Sequence, residues 1–148
     1  MDVIFDIDGT LSDVAHRRHL LAGPGRKDWA EFFRRMADDP PRPHIVTLAR
    51  MLHGAGARLI LASGRFERHR ATTVAWLTTH AGDWLAERPL FLRADNDHRS
   101  DDVVKVEYLE KMRAAGFDPV MAVDDRDRVV RAWRAAGLVC LQCAEGAF

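Results

Sequence analysis

Two carboxylates one residue apart follow a short apolar run near the start of the chain. Residues 3–5 are apolar, Asp6 and Asp8 come next, and Gly9-Thr10 follows them. A buried strand excludes such side chains unless chemistry at its carboxyl end needs them, because an unpaired buried charge is costly. A divalent cation would offset the charge, so that Asp6 could act as a nucleophile and Asp8 as an acid and then a base. The pattern is typical of phosphoryl transfer, and an ordinary acidic turn is the alternative.

Length, charge and cysteine content set broad limits on this protein. The chain has 148 residues, a formal net charge of zero and two cysteines. This length allows one domain with a sizeable core. No apolar run approaches the roughly 20 residues of a membrane helix, and two cysteines exclude a disulfide framework, so we expect a cytoplasmic protein. A net charge of zero provides no global attraction to nucleic acid and leaves the substrate class open.

Apolar periodicity predicts strands and helices in alternation along the chain. Such alternation is typical of a parallel sheet with helices on both faces, in which functional groups gather where the strands end. We therefore expect a single α/β domain over residues 1–148. The predicted strands are 3–5, 58–62, 90–92, 120–123 and 138–141, and the predicted helices are 44–53, 68–80, 102–115 and 128–136.

Polar side chains follow three of these strands at the point where each strand ends. A helix cap or a turn would explain each group alone, but their coincidence at one edge of the sheet favours a shared site. Lys105 lies early in the predicted helix 102–115, from which its ammonium could reach the same pocket. The three groups are Asp6 and Asp8 after the first strand, Ser63-Gly64-Arg65 after the second and Asp124-Asp125-Arg126 after the fourth.

Taken in order, these four groups closely resemble the motifs of the haloacid dehalogenase phosphatase superfamily. The resemblance implies a three-layer, Rossmann-like core with a central parallel sheet. It also implies that Asp6 attacks phosphorus and becomes an aspartyl-phosphate, while Asp8 protonates the leaving oxygen and then activates water. The remaining roles that it implies are phosphate binding by Ser63, Gly64 and Lys105, and Mg²⁺ binding by the Asp6 and Asp125 carboxylates and the Asp8 carbonyl, with Asp124 in close support.

A narrower resemblance links the chain to the 3′-phosphatase domain of phage T4-type polynucleotide kinase-phosphatase. It lies in residues 63–65, 101–105 and 122–134, in Arg17 and in the closing residues 146–148. In that family, arginines at the positions of Arg17 and Arg65 help to bind phosphate, and an acid at the position of Asp101 contributes to the site. The chain lacks the Gly-x-x-x-x-Gly-Lys-Ser/Thr motif of a kinase, so we expect no kinase domain in it.

Residues 12–42 are expected to form a small helical cap inserted after the first strand. Their pattern predicts two short amphipathic helices at 14–21 and 29–36, which could cover the pocket and contact the substrate. The second helix carries Trp29, Phe32 and Phe33. Packing in the core is the expected role of these aromatic side chains, and a stacking platform for a nucleobase is the alternative.

Three functions are compatible with these residues. The favoured one is Mg²⁺-dependent hydrolysis of a 3′-phosphate on a nucleic-acid end or a nucleotide. The second is a phosphatase acting on 5′- or 3′-mononucleotides, which would use the same catalytic residues. The third is a non-enzymatic phospho-acceptor module, but that class carries its acceptor aspartate at the end of a middle strand, where this chain has Ser63.

Overall fold

The protein is described by a computed structural model, and the description below concerns residues 1–146. Its single sheet has the strand order β3-β2-β1-β4-β5, and all four pairings are parallel. The carboxyl ends of the strands therefore meet at one edge, with β1 at the centre of the sheet. The strands are β1 (Asp2–Phe5), β2 (Arg58–Phe66), β3 (Leu90–Arg93), β4 (Pro119–Asp124) and β5 (Val139–Gln142).

Helices cover both faces of this sheet and make the fold a three-layer structure. Along β1, Val3 and Phe5 face one apolar cluster and Ile4 faces the other, as the alternation of a strand requires. The first cluster includes side chains from α3, α4 and α5, and the second includes side chains from α6 and α7. The helices are α1 (Ala15–Arg18), α2 (Trp29–Arg34), α3 (Pro43–Gly54), α4 (Arg70–His80), α5 (Asp83–Ala86), α6 (Asp101–Ala114) and α7 (Asp127–Ala135).

The predicted α/β, Rossmann-like class is confirmed, but four strands end later than predicted. Strand β2 continues to Phe66, so residues 63–65 lie within it and not after it. The extension pairs Phe66 with Arg93 after a shift of register between Ala62 and Phe66. Strands β3, β4 and β5 each run one residue past the predicted end, so Asp124 lies at the end of β4 and not after it.

The segment 12–42 contains two short helices, each shorter than predicted. Helices α1 and α2 are each followed by a 3₁₀ turn, at His19–Leu21 and Arg35–Asp38. Asp28 caps α2 by accepting a hydrogen bond from the Glu31 N–H at 3.0 Å. The packing predicted for the aromatic residues holds for Phe32, which is buried, but is wrong for Trp29, which is 47% exposed.

Within the described residues, every helix is too short or too polar to span a bilayer. The resemblance noted at the carboxyl terminus included Ala147 and Phe148, which lie outside the described residues.

Candidate active site

Asp6 lies directly after β1 and contacts a buried lysine. Its backbone N–H donates to the Val123 carbonyl at 3.0 Å, which joins the end of β1 to β4. Lys105, on α6, donates from Nζ to Asp6 Oδ1 at 2.6 Å and to Asp124 Oδ2 at 2.7 Å. Burial opposes the charged ammonium, but Asp124 and Asp6 raise the pKa of Lys105 above its usual value. Lys105 is therefore a buried cation that links the nucleophile candidate to β4.

The acidic groups around Lys105 outnumber this single cation. Burial and the charges of Asp124 and Asp125 raise the pKa of Asp6 well above its usual value, although Lys105 acts against them. Burial, followed by the charge of Asp124, raises the pKa of Asp125 to about 6. These carboxylates thus compete to stay ionised, which is the situation that a bound cation relieves.

The cluster of Asp6, Asp124 and Asp125 has the oxygen ligands that a metal ion needs. Asp6, Asp124 and Asp125 each offer an oxygen, and these oxygens lie within 4.8 Å of one another. Asp6 Oδ2 and Asp125 Oδ2 are buried and have no hydrogen-bond partner among the described residues. Buried polar atoms are normally satisfied, and a set made only of carboxylate oxygens suits Mg²⁺. The residues present therefore fit this ion.

Backbone from separate parts of the chain packs tightly around Asp125. Gly9 has a φ of +94°, and a Cβ there would come within 2.2 Å of Asp125 Oδ2. A Cβ on Gly146 would come within 2.2 Å of the Asp125 carbonyl oxygen, which also accepts a hydrogen bond from Gln142 Nε2 at 3.0 Å. Glycine is needed at position 9 for its backbone conformation and for this close approach.

Asp8 lies apart from the acidic cluster, between two arginines. Arg17 Nη2 and Arg65 Nη2 each donate to Asp8 Oδ1 at 2.7 Å, and Arg65 Nε lies 3.1 Å from both carboxylate oxygens. Both arginine side chains are completely buried. Burial opposes the ionisation of Asp8, but the guanidinium groups of Arg65 and Arg17 hold its pKa far below the usual range.

A second buried carboxylate, Asp39, holds these arginines from the other side. It accepts from Arg17 Nε at 2.7 Å and from Arg17 Nη2 at 2.5 Å, and Arg65 Nη2 lies 3.4 Å away. Ser12 Oγ donates to it at 3.2 Å, and Trp76 Nε1 donates to its backbone carbonyl at 2.8 Å. Sequence analysis missed Asp39, because an acidic pair before two prolines looks like an ordinary turn.

Asp101 forms a third group with Arg126, which the sequence placed at the end of the fourth strand, and with Arg93, which sequence analysis missed. Its carboxylate accepts hydrogen bonds from Arg93, at the end of β3, and from Arg126, after β4. Arg93 Nε also donates to the Gly64 carbonyl at 3.2 Å, and a Cβ on Gly64 would come within 2.8 Å of Asp101 Oδ1. Arg93 directly follows the predicted strand 90–92, so the strand-end rule that found Asp6 would have found it if the rule had also been applied to the third strand.

Ser63 is completely buried beside these groups in β2. Its Oγ accepts a hydrogen bond from the Arg65 N–H at 3.2 Å, and its carbonyl accepts one from the Tyr108 hydroxyl at 3.4 Å. All the residues predicted for the site thus lie at the carboxyl edge of the sheet or on segments that contact it. The structure divides their contacts into an acidic cluster around Lys105, an arginine cluster around Asp8 and an ion-paired group around Asp101.

Comparison with known proteins identifies the family of this chain. The profile of the family described as the polynucleotide kinase PNKP phosphatase domain matches residues 1–148. The chain belongs to this family. A PNKP-type phosphatase domain hydrolyses phosphoesters, so the protein is a phosphatase, and the resemblance seen in the sequence is confirmed.

Two structures of the Pnkp1/Rnl/Hen1 RNA repair complex contain chains similar to this PNKP-type domain. Both are 28% identical to it and cover 99% of its length, with TM-scores of 0.78 and 0.81. This chain spans 43% and 46% of those chains, which is less than half of their length.

More distant phosphatases share the fold of the PNKP-type domain. The class C acid phosphatase from Bacillus anthracis with tungstate bound is 14% identical, with a TM-score of 0.70 over 99% of this chain and 67% of that chain. The D,D-heptose 1.7-bisphosphate phosphatase from B. bronchiseptica, complexed with magnesium and phosphate, is 17% identical, with a TM-score of 0.59 over 95% of this chain and 79% of that chain. At these identities the likeness shows the haloacid dehalogenase fold alone.

Proposed function

We propose that this phosphatase removes the phosphate from the 3′ end of a nucleic acid or nucleotide through an aspartyl-phosphate on Asp6. The observation that carries this proposal is the pair of completely buried arginines, Arg17 and Arg65, fixed beside Asp8. Buried guanidinium groups match the oxygens of a phosphate in bidentate geometry, and the PNKP family match favours a polynucleotide end as substrate. We also infer a cytoplasmic location from the composition of the chain.

A Mg²⁺ ion is part of the proposal because two buried oxygens of the acidic cluster lack hydrogen-bond partners among residues 1–146. The carboxylates of Asp6 and Asp125 and the carbonyl of Asp8 would hold the ion, with Asp124 in support. When bound, Mg²⁺ supplies positive charge that offsets the charge of a phosphate monoester and of the attacking carboxylate.

The reaction that we propose has two balanced steps. In the first, a carboxylate oxygen of Asp6 bonds to phosphorus, the ester P–O bond breaks, and Asp8 gives its proton to the leaving oxygen. In the second, a water oxygen bonds to phosphorus, the bond from Asp6 to phosphorus breaks, and Asp8 takes the proton of the water. Lys105, Ser63 and the backbone of Gly64 would bind the other phosphate oxygens, and Asp101 would support this arrangement through Arg93 and Arg126.

Asp8 can act as an acid only if it first gains a proton. In the structure, Arg17 and Arg65 hold it in the ionised form. We propose that both guanidinium groups turn from the Asp8 carboxylate to the phosphate when substrate binds, because a phosphate dianion is the stronger partner. Losing them would raise the pKa of Asp8 and favour its protonation. Substrate binding would thereby prepare the acid that the first step consumes.

The deciding experiment compares phosphate release from matched 3′- and 5′-phosphorylated oligonucleotides and from 3′- and 5′-mononucleotides. We expect the 3′-phosphorylated ends to be hydrolysed fastest, only with Mg²⁺ present, and Ca²⁺ to substitute poorly because its coordination is larger and more variable. Acid-quenched wild-type enzyme should carry phosphate that Asp6→Asn does not. Equal or faster hydrolysis of 5′-mononucleotides would instead favour the mononucleotide phosphatase alternative, and full activity after chelation would contradict the metal requirement.

A further inference from the structure

A row of aromatic rings lies on the protein surface next to the arginine cluster. We call it the aromatic strip, and it consists of Trp29 and Phe33 from α2 and His69 from the turn before α4. The rings are close to parallel: Trp29 and Phe33 are 6.1 Å apart at 25°, and Phe33 and His69 are 5.3 Å apart at 22°. Two separate segments of the chain thus build one stacked array.

The aromatic strip contacts residues that touch both arginines of the site. Phe32 lies 5.9 Å from Trp29, its ring lies 4.1 Å from the Arg17 guanidinium, and its carbonyl accepts from Arg17 Nη1 at 3.3 Å. Phe33 also packs at 5.3 Å against Phe66, the residue after Arg65. A ligand whose phosphate lies at the arginines would therefore have the aromatic strip within reach of its next group.

Trp29, at the end of the aromatic strip, has an indole that is accessible to a ligand. Phe33 stacks on the indole and Phe32 meets it edge to face, yet the residue remains 47% exposed. These two contacts therefore leave a large part of Trp29 open to solvent. An exposed indole lies on a six-residue helix whose other aromatic residues are buried or half-buried.

Positive charge lies close to the aromatic strip at two places. Lys27 Nζ lies 6.0 Å from the Trp29 ring, and the Arg68 guanidinium lies 4.2 Å from the ring of Phe66, which packs against Phe33. Arg68 also pairs with Asp95 at 3.6 Å, but its side chain is 50% exposed. Aromatic faces combined with basic side chains are the usual features of a surface that binds single-stranded nucleic acid.

We propose that the exposed indole of Trp29 stacks on an unpaired nucleobase at the phosphorylated end of a single-stranded nucleic acid. This inference rests on the proposed function, because the position of the base follows from a phosphate at Arg17 and Arg65. The bases would stack without regard to their sequence, since every base has a π face. Continuity with the phosphate site and the flanking cations favour a nucleobase over a protein partner at this surface.

The test measures the affinity of labelled single-stranded oligonucleotides by fluorescence anisotropy. The Asp6→Asn background prevents turnover, and each oligonucleotide is used with and without a 3′-phosphate. We expect Trp29→Ala to weaken binding of both about tenfold and Trp29→Phe to keep most of the affinity, because a phenyl ring still stacks. Oligonucleotides with abasic residues at the 3′ end should bind Trp29→Ala and the parent equally.

Trp84→Phe is the matched control. Trp84 is half-buried against His53 at the carboxyl end of α3, and its ring lies 5.3 Å from Arg50, at the opposite edge of the sheet from the site. This variant should leave the affinity unchanged. If Trp29→Ala fails to fold, Trp29→Gln replaces it.

Affinities that do not change between the parent and Trp29→Ala would overturn the stacking proposal and leave the aromatic strip as a surface for another partner. The unphosphorylated oligonucleotide separates the two proposals. A loss of its affinity in Trp29→Ala would support stacking even if phosphate-release assays contradicted the preference for 3′ ends.

Discussion

The substitution Asp39→Asn tests whether the buried arginine cluster depends on the carboxylate that sequence analysis missed. Asp39 is completely buried and binds Arg17 through both of its oxygens, at 2.7 and 2.5 Å. Asparagine has the same shape but replaces one of these acceptor oxygens with an N–H donor. That donor would face the guanidinium of Arg17, which has only donors itself.

The loss of stability expected for Asp39→Asn depends on how many carboxylates still pair with Arg17 and Arg65. Removing one partner of a buried ion pair costs about 3–5 kcal/mol. Asp8 stays as a carboxylate for both Arg17 and Arg65, so we expect the lower end, about 3 kcal/mol. For a chain of this length each kcal/mol lowers the melting temperature by about 2–4 °C, which gives a loss of about 6–12 °C.

Activity should fall together with stability, because Arg17 would no longer be fixed from both sides. We expect kcat/KM for a 3′-phosphorylated oligonucleotide to fall at least about tenfold in Asp39→Asn, which is the effect of losing about 1.4 kcal/mol of transition-state binding. Thermal unfolding followed by circular dichroism and steady-state phosphate release measure the two effects. The control is Asp38→Asn, which changes the neighbouring, exposed carboxylate.

Asp39→Asn would refute this reasoning if it lowered the melting temperature by no more than Asp38→Asn does and kept the wild-type kcat/KM. A double variant gives a second check. In an Arg17→Ala background, Asp39→Asn should cost much less than in the wild type, because its main partner is already gone.

Four further variants test other parts of the structure. Asp6→Asn should abolish turnover while the protein stays folded, since an amide cannot form the acyl-phosphate; activity near wild type would exclude the covalent step. Arg65→Lys should lower kcat/KM about tenfold or more, because lysine keeps the charge but not the two-pronged geometry. Asp8→Asn should be inactive yet bind inorganic phosphate more tightly in calorimetry, because both guanidinium groups lose the Asp8 carboxylate and keep only Asp39 as an anionic partner. Asp2→Asn should lower the melting temperature at pH 7, and the difference should shrink as the pH falls below about 4: hydrogen bonding from Arg58 lowers the pKa of Asp2, so its stabilising effect is lost in acid.

The parts of the fold that depend on local patterns were predictable from the sequence. Residues 3–5 are apolar on both sides of the strand, and this marks a central strand covered by helices on both faces. The carboxyl-edge rule then placed Asp6, Asp124 and Asp125 near one another without any knowledge of side-chain contacts. These predictions succeeded because backbone topology alone determines where strands end.

The parts of the site that depend on pairing between distant residues could not be predicted. Asp39 contacts Arg17 across 22 residues and Arg65 across 26, and nothing local distinguishes it from its exposed neighbour Asp38. The prediction that the aromatic residues of α2 pack in the core was wrong for Trp29, because local spacing does not specify contacts with the rest of the chain. Trp29, Phe32 and Phe33 lie at i, i+3 and i+4 on one face of α2, so their spacing alone does not tell which of them remains outside.

Asp6 and Asp8, the two carboxylates that we propose as catalytic, show that the surroundings of a carboxylate matter more than its position in the sequence. Asp6 and Asp8 are two residues apart, yet burial among acids raises the pKa of Asp6 while two guanidinium groups lower that of Asp8. This is the reverse of what the proposed first step needs, which is an ionised Asp6 and a protonated Asp8. A cation at the acidic cluster would correct the first pKa, and a phosphate that draws away Arg17 and Arg65 would correct the second. In the substrate-free site the surroundings therefore shift both pKa values against the proposed roles, and the ligands of the reaction are themselves what would reverse these shifts.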